Sequence, residues 1–453
     1  MTRTSYLRRT VLRAGYGLTD SHGAGTGNNG TGVSPGQLGF NAAASFSSTV
    51  TGQPAFYWAN GVPPYQKPPF IDPGYGVGFT TASPSGAVSP TYVNPATGAK
   101  PPYSVYWNIG IQREITANTT IGASFAANTG HFLTGGGGTG IWSNSMPIQC
   151  LPLGALLGAQ ATAANIASAQ ALAPGIGLPF SNYVGTISQM LKPYPQYSGI
   201  NYLWSNRGNS SYNSFQFAVD HRMSQGLTFH IGYVFSKELD DTTTSRNPFD
   251  GSLDRAPGAI DHPHILTGTV VYHLPFGKGH ALGSGNAAVQ RLVSGWLVAS
   301  VVTFSSGSPL AISGTGCVVT GISSSCLPSY NPAFNGPVRI NGSYGDGNIL
   351  APGPVAYLDK NAFITPAPYT FGNLARAAPY NLFSPYTLNE DVTLREIALR
   401  KRLKLTFEAN MFNITNSVIF SAPGTSIDST TFGQVTSQRN LPRKVQFNAR
   451  LSF

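Results

Sequence analysis

From Val445 to the end of the chain every second residue is apolar: Val445, Phe447, Ala449, Leu451 and Phe453, separated by Gln446, Asn448, Arg450 and Ser452. The same period of two recurs upstream. Leu403, Leu405, Phe407, Ala409 and Met411 alternate with Lys404, Thr406, Glu408 and Asn410, and Val105, Trp107, Ile109 and Ile111 alternate with Tyr106, Asn108, Gly110 and Gln112. Ile121, Ala123 and Phe125, then Phe215, Phe217 and Val219, then Leu227, Phe229, Ile231, Tyr233 and Phe235 repeat it. Successive side chains of a strand point to opposite faces, so this pattern predicts strands with one apolar and one polar face. Ten are expected, near 9–18, 103–115, 119–127, 212–222, 227–236, 264–274, 295–305, 386–398, 402–412 and 443–453.

A soluble sandwich and a transmembrane barrel both produce such strands. The connections separate them. Tight turns are expected at 115–118 (ITAN), 223–226 (MSQG) and 400–402 (RKR), and long connections at 19–101, 128–211, 237–262, 306–385 and 414–442. Segment 275–294 is the one long turn on the otherwise tight side. Several long loops are uncommon in a compact soluble domain, whereas short turns at one end and long loops at the other belong to outer-membrane barrels. The fold class expected is therefore all-β, a transmembrane antiparallel β-barrel with long extracellular loops. The polar positions Gln112, Lys404, Glu408 and Arg450 are then expected to face the lumen. Glu390 falls in an apolar series with Leu388, Val392 and Leu394, so it is expected at the outer rim or beside a bulge.

Composition agrees with this class. Charged residues make up 10% of the chain against about 25% in ordinary globular proteins. Gly (53) and Pro (34) favour turns and loops over helix. No apolar run is long enough for a spanning helix; the nearest, 154–173, is broken by Gln, Thr, Asn and Ser and reads as a small-residue helix within a loop. The net charge of +10 is spread thinly, with no basic run longer than Arg400-Lys401-Arg402, so nucleic acid is not an expected partner and anionic lipid or lipopolysaccharide is. MTRTSYLRRT has basic residues without an apolar core after them, so no secretory leader is expected.

Candidate chemistry is sparse. Cys317 and Cys326 flank a short Gly- and Ser-containing stretch; a disulfide and two free thiols are both open. Asp261, His262 and His264 suggest a metal site but lack an evident third strong ligand, and Asp240-Asp241 offers paired carboxylates that suit calcium or simply a solvated strand end. The glycine-rich stretches 25–32 and 135–140 lack the Lys-Ser/Thr of a phosphate loop, and there is no Gly-x-Ser-x-Gly elbow. No enzyme activity and no cofactor are expected. Ligand contacts are expected in the long loops, where Tyr57, Trp58, Tyr197, Tyr202 and Trp204 stand among Asn, Ser and Gly.

Several segments in order resemble the barrel region of TonB-dependent outer-membrane receptors, of the Oar-like type found in Acidobacteria. They are RTVLRAGYG (9–17), PYSVYWNIGIQREITANTTIGASFAANTGHFL (102–133), PYPQYSGI (193–200), GNSSYNSFQFAVDHRMSQGLTFHIGYVFSKELDD (208–241), DHPHILTGTVVYHLPFGKG (261–279), SGWLVASVVTFSSGSPL (294–310), YLDKNAFITPAPYTFGNLARAAP (357–379) and RLKLTFEANMFNITN (402–416). The resemblance implies a 22-stranded barrel with a plugged lumen, in which an inner-membrane TonB complex drives uptake of a chelate, oligosaccharide or peptide. The expectation is that residues 1–453 are the C-terminal portion of such a barrel, without plug, TonB box or signal peptide, reaching TonB only through N-terminal parts outside them. Barrels of this kind end in alternating apolar residues and a terminal aromatic that the barrel assembly machinery reads as an insertion signal; Val445, Phe447, Ala449, Leu451 and Phe453 fit it. A small plugless barrel acting as passive pore or scaffold, and a secreted β adhesin, are the other readings.

Overall fold

The computed structural model describes residues 9–20, 48, 52–62, 91–92, 100–134, 144–181, 183–196, 201–202, 206–242, 254–276, 289, 294–314, 316, 319–322, 328–340, 355–377, 382–400 and 403–453. Its centre is one ten-stranded sheet: β1 (Thr10–Asp20), β2 (Tyr103–Thr116), β3 (Thr119–Thr134), β4 (Asn206–Ser224), β5 (Leu227–Asp240), β6 (His264–His273), β7 (Trp296–Ser305), β8 (Thr387–Arg400), β9 (Leu403–Phe412) and β10 (Lys444–Ser452). Each strand pairs antiparallel with the next in the chain, and β1 and β10 are the edges. All ten expected strands are present. β3 and β4 run further toward the long connections than the apolar alternation does, because small and polar residues such as Asn128, Ser210 and Ser211 continue the ladder beyond it.

The β4–β5 turn has the backbone geometry a two-residue hairpin demands. Between β4 and β5, Gln225 (φ 50) and Gly226 (φ 83) both take positive φ, the conformation that lets a two-residue turn match the twist of its strands. A Cβ on Gly226 would also meet the carbonyl of His273 at 3.0 Å.

Register decides the faces. Ala14, Ile109, Phe125, Phe215, Phe235 and His264 form one cross-strand row. Phe125 packs on Trp107 with centroids 5.1 Å apart, and His264 lies 5.1 Å from Phe235. On β9 and β10, Phe407 stacks on Phe447 at 6.1 Å. From Trp296 to Phe304 the apolar face of β7 covers about 26 Å of extended chain, which a tilt near 40° reduces to roughly 20 Å of height. Glu390 does lie on this face, opposite Val302, and the ladder with β7 runs unbroken from Thr387 to Glu396. There is no bulge between β7 and β8, and Glu390 is the fourth residue from the loop end of β8. Its Oε2 is buried without a hydrogen-bond partner.

The long connections fold together. Met146, Leu153, Leu157, Ile187 and Met190 from the β3–β4 connection pack with Ile322 from the β7–β8 connection. The latter also supplies Leu310, Ile312, Leu358, Phe363 and Leu374 to a second core shared with Ile427 and Phe432 of the β9–β10 connection. Within the segment expected to be one helix, 154–173, the helix α1 covers only Ala163–Leu172, capped by Thr162. Before it the chain makes 3-10 turns over Ile148–Gly158, interrupted where Gly154 turns to φ 56. No helix among the described residues is long and apolar enough to cross a membrane.

Candidate functional site

The polar face is the part of the sheet with chemistry to offer. Gln112, Lys404, Glu408 and Arg450 all occupy it: Gln112 stands beside Val11 and Gly122, Lys404 beside Ser452, Glu408 beside Asn448, and Arg450 beside Thr406. Arg13 donates to Gln112 Oε1 at 2.7 Å, Asp220 and His230 meet at 2.7 Å, and Arg395 Nε lies 3.3 Å from Glu408 Oε1. A concavity of about 650 Å³ runs over this face, its polar lining including Arg13, Asn108, Gln112, Gln216, His230 and Thr267. A smaller niche of about 380 Å³, with Thr120, Asp220 and Arg222, lies toward the tight turns.

The wall has two characters. Across β2 to β5 it carries Gly110, Gly122, Ser124, Ala126, Ala218 and Gly232; across β8 to β10 it carries Arg395, Lys404, Glu408, Lys444 and Arg450. The first sector lets a surface approach the backbone closely, and the second presents long charged donors and acceptors. Such a wall offers hydrogen-bond and ion-pair groups to whatever lies against it.

The residues considered for metal binding have separate partners. Asp261 Oδ1 accepts the backbone N–H of Glu238 at 3.0 Å, His262 Nδ1 donates to the carbonyl of Ser306 at 2.7 Å, and His264 Nδ1 meets Tyr233 Oη at 2.8 Å. Burial pushes the Asp261 carboxyl above the usual carboxylate range, and the Glu238 N–H opposes that shift. Asp240 and Asp241 likewise diverge: Asp240 pairs with Arg376, while Asp241 Oδ1 accepts the backbone N–H of Asn209. Among the described residues no three His, Cys, Asp or Glu side chains gather as a metal site.

Of the expected loop contacts, Tyr57 and Trp58 sit at a 3-10 turn and are 60% and 80% exposed. Tyr202 belongs to a two-residue strand paired with Thr91–Tyr92. Tyr197, Trp204 and the pair Cys317 and Cys326 lie outside the described residues. Val445, Phe447, Ala449 and Leu451 share the apolar face of the exposed edge strand β10, and Phe453 follows it, 98% exposed.

Two structural residues escaped sequence reasoning. Asn413 (φ 50) donates from its amide group to the carbonyls of Ser417 and Leu441, accepts from Ser417 N–H, and gives its backbone N–H to Asp391. An Asn just past a strand end is the available signal, since Asn tolerates positive φ. Arg376, alone in an uncharged stretch, makes four hydrogen bonds to the β5–β6 region. Nothing in its neighbourhood of sequence marks it.

Comparison with solved structures finds the outer membrane transporter YddB from Escherichia coli, at 12% identity and TM-score 0.37, covering 82% of this chain and 35% of that one. The ferripyoverdine receptor of Pseudomonas aeruginosa aligns at 10% identity and TM-score 0.33, covering 82% and 30%, and BauA, the ferric preacinetobactin receptor of Acinetobacter baumannii, at 9% and 0.34, covering 82% and 32%. The chain thus spans about a third of the length of these proteins. No curated protein is similar enough in sequence to count as a match. Residues 3–446 match the family model described as outer membrane beta barrel domain, and the chain belongs to that family of outer-membrane proteins.

Proposed function

We propose that the chain is the C-terminal portion of a larger receptor barrel of the Oar-like TonB-dependent type, which takes up a bulky chelate, oligosaccharide or peptide with TonB-supplied energy. The observation that carries this reading is the pair of sheet edges. β1 and β10 are nearly all exposed, on both faces, and neither has a partner on its outer side among the described residues. In a bilayer each unpaired backbone group costs several kcal/mol, so a spanning sheet has to close. Further strands between β10 and β1 supply that closure, and the ordered segment resemblance supports placing them in the same receptor.

In this reading the polar wall packs against a plug supplied by N-terminal parts, the loops with Tyr57 and Trp58 meet the ligand, and the barrel assembly machinery reads the strand ending at Phe453. The antiparallel directions of β1 and β10 also permit them to pair with each other, giving a small passive pore. The test is an immunoblot of native outer membranes with an antibody against residues 424–442, boiled and unboiled. A boiled band far above 47.7 kDa supports the receptor; a boiled band at 47.7 kDa that runs faster unboiled would establish the small pore instead.

A further inference from the structure

The β5–β6 and β7–β8 connections meet over polar-face residues at the long-loop end of the sheet. Arg376, in the β7–β8 connection, donates from Nη2 to the carbonyl of Asp240 (2.7 Å), to its Oδ1 (2.9 Å) and to the carbonyl of Ala256 (3.1 Å), and from Nε to the carbonyl of Asp254 (3.2 Å). Both side chains of the Arg376–Asp240 pair are largely buried. Asp240 belongs to the polar-face register of β5, with Ser236 and Glu238. The β5–β6 connection lies on those same residues. Asp261 accepts Glu238 N–H, the Ser236 hydroxyl donates to the carbonyl of His262 at 3.3 Å, and a Cβ on Gly258 would collide with the carboxylates of Glu238 and Asp240.

Other loops are tied to these by backbone hydrogen bonds. Met146 N–H donates to the carbonyl of Gly321, tying the β3–β4 connection to the β7–β8 connection. Ile427 N–H donates to Ser313, and Tyr357 N–H to Gly433, which ties in the β9–β10 connection. Arg439 of that connection reaches Thr387, a polar-face residue of β8, at 3.0 Å. Beneath the 254–262 segment, Ser214 and Ser236 are paired across strands and only 1% and 5% exposed, while Gln446 on the same face is open.

We propose that these connections form one lid folded inward over the long-loop end of the sheet, and that Arg376 is its lock. The guanidinium suits the task because two of its nitrogens serve three carbonyls and a carboxylate at once, in a fixed fork that a lysine ammonium lacks. Without it, the carboxylates of Asp240 and Glu238 face each other uncompensated and the carbonyl of Asp254 loses a donor. The Asp240 and Ala256 carbonyls keep only each other's backbone N–H, so that the β7–β8 connection is no longer fastened to them. The lid requires neither the uptake reading nor any particular ligand.

The test uses the full chain in outer membranes, with Cys150, Cys317 and Cys326 replaced by Ser and a single reporter at Ser236→Cys or Gln446→Cys. Labelling by a bulky membrane-impermeant maleimide is followed in time. Ser236→Cys should label slowly with Arg376 present, at least about tenfold faster with Arg376→Ala, and at an intermediate rate with Arg376→Lys. Gln446→Cys should label at one rate in all three, which shows the sheet itself undisturbed. The lid is overturned if Ser236→Cys labels as fast as Gln446→Cys in the protein with Arg376. The lock is overturned if Arg376→Ala leaves Ser236→Cys slow, or if it accelerates Gln446→Cys equally.

Discussion

Asp261 shows how one carboxylate serves structure at an electrostatic cost. It is 4% exposed, and burial raises its pKa although Glu238 N–H donates to it. A raised carboxylate binds its proton more readily in the folded state, so its contribution to stability is present at low pH and is lost as pH rises through the folded pKa. Asp261→Asn keeps an acceptor and removes the charge. It should raise the urea midpoint in detergent more at about pH 7 than at about pH 4, whereas Asp261→Ala orphans a buried N–H and should cost about 1–3 kcal/mol at either pH. Glu390 makes a related case on the apolar face. Near the rim, Glu390→Gln should change stability by no more than about 1 kcal/mol, in the stabilising direction; a gain of about 2–4 kcal/mol would place it at the membrane midplane instead. In the sequence Asp261 reads as a ligand candidate, but its partner, the backbone N–H of Glu238 on β5, leaves no trace in residue types.

At the level of elements, the strands were legible because alternation is a local property: a residue's face follows from its parity. β10 and β9 illustrate this, with Phe447 beside Ala409 and Asn448 beside Glu408 on opposite faces. Phe447→Lys should therefore reduce the folded, heat-modifiable protein in membranes, by a cost of about 2–4 kcal/mol if Phe447 lies at midplane, while Asn448→Lys on the polar wall should be nearly silent. Equal losses from both would contradict the assigned faces. Strand ends were less legible. β3 and β4 extend through Gly130, Leu133 and Gly208 with register shifts, and bulges depend on the partner strand rather than on either sequence alone.

For the whole molecule, the loops are the larger surprise, since two apolar cores hold together connections that the sequence presents as separate. Leu374, fully buried, sits in the core shared by the β7–β8 and β9–β10 connections. Leu374→Ala should destabilise that body by about 2–5 kcal/mol, seen as faster proteolysis within 306–385 and 414–442 while the strands stay protected. Strand number, order of faces, tight and long ends, and the outer-membrane class were determined by the sequence itself, because the period of two and the lengths of connections are written along the chain. Which loops meet, that Arg376 fastens them to Asp240, that Asn413 caps β9, and that the His and Asp residues at 261–264 part company were decided only by the tertiary structure. Those contacts join residues far apart in the chain, and their geometry depends on the stagger and tilt of strands that stand between them.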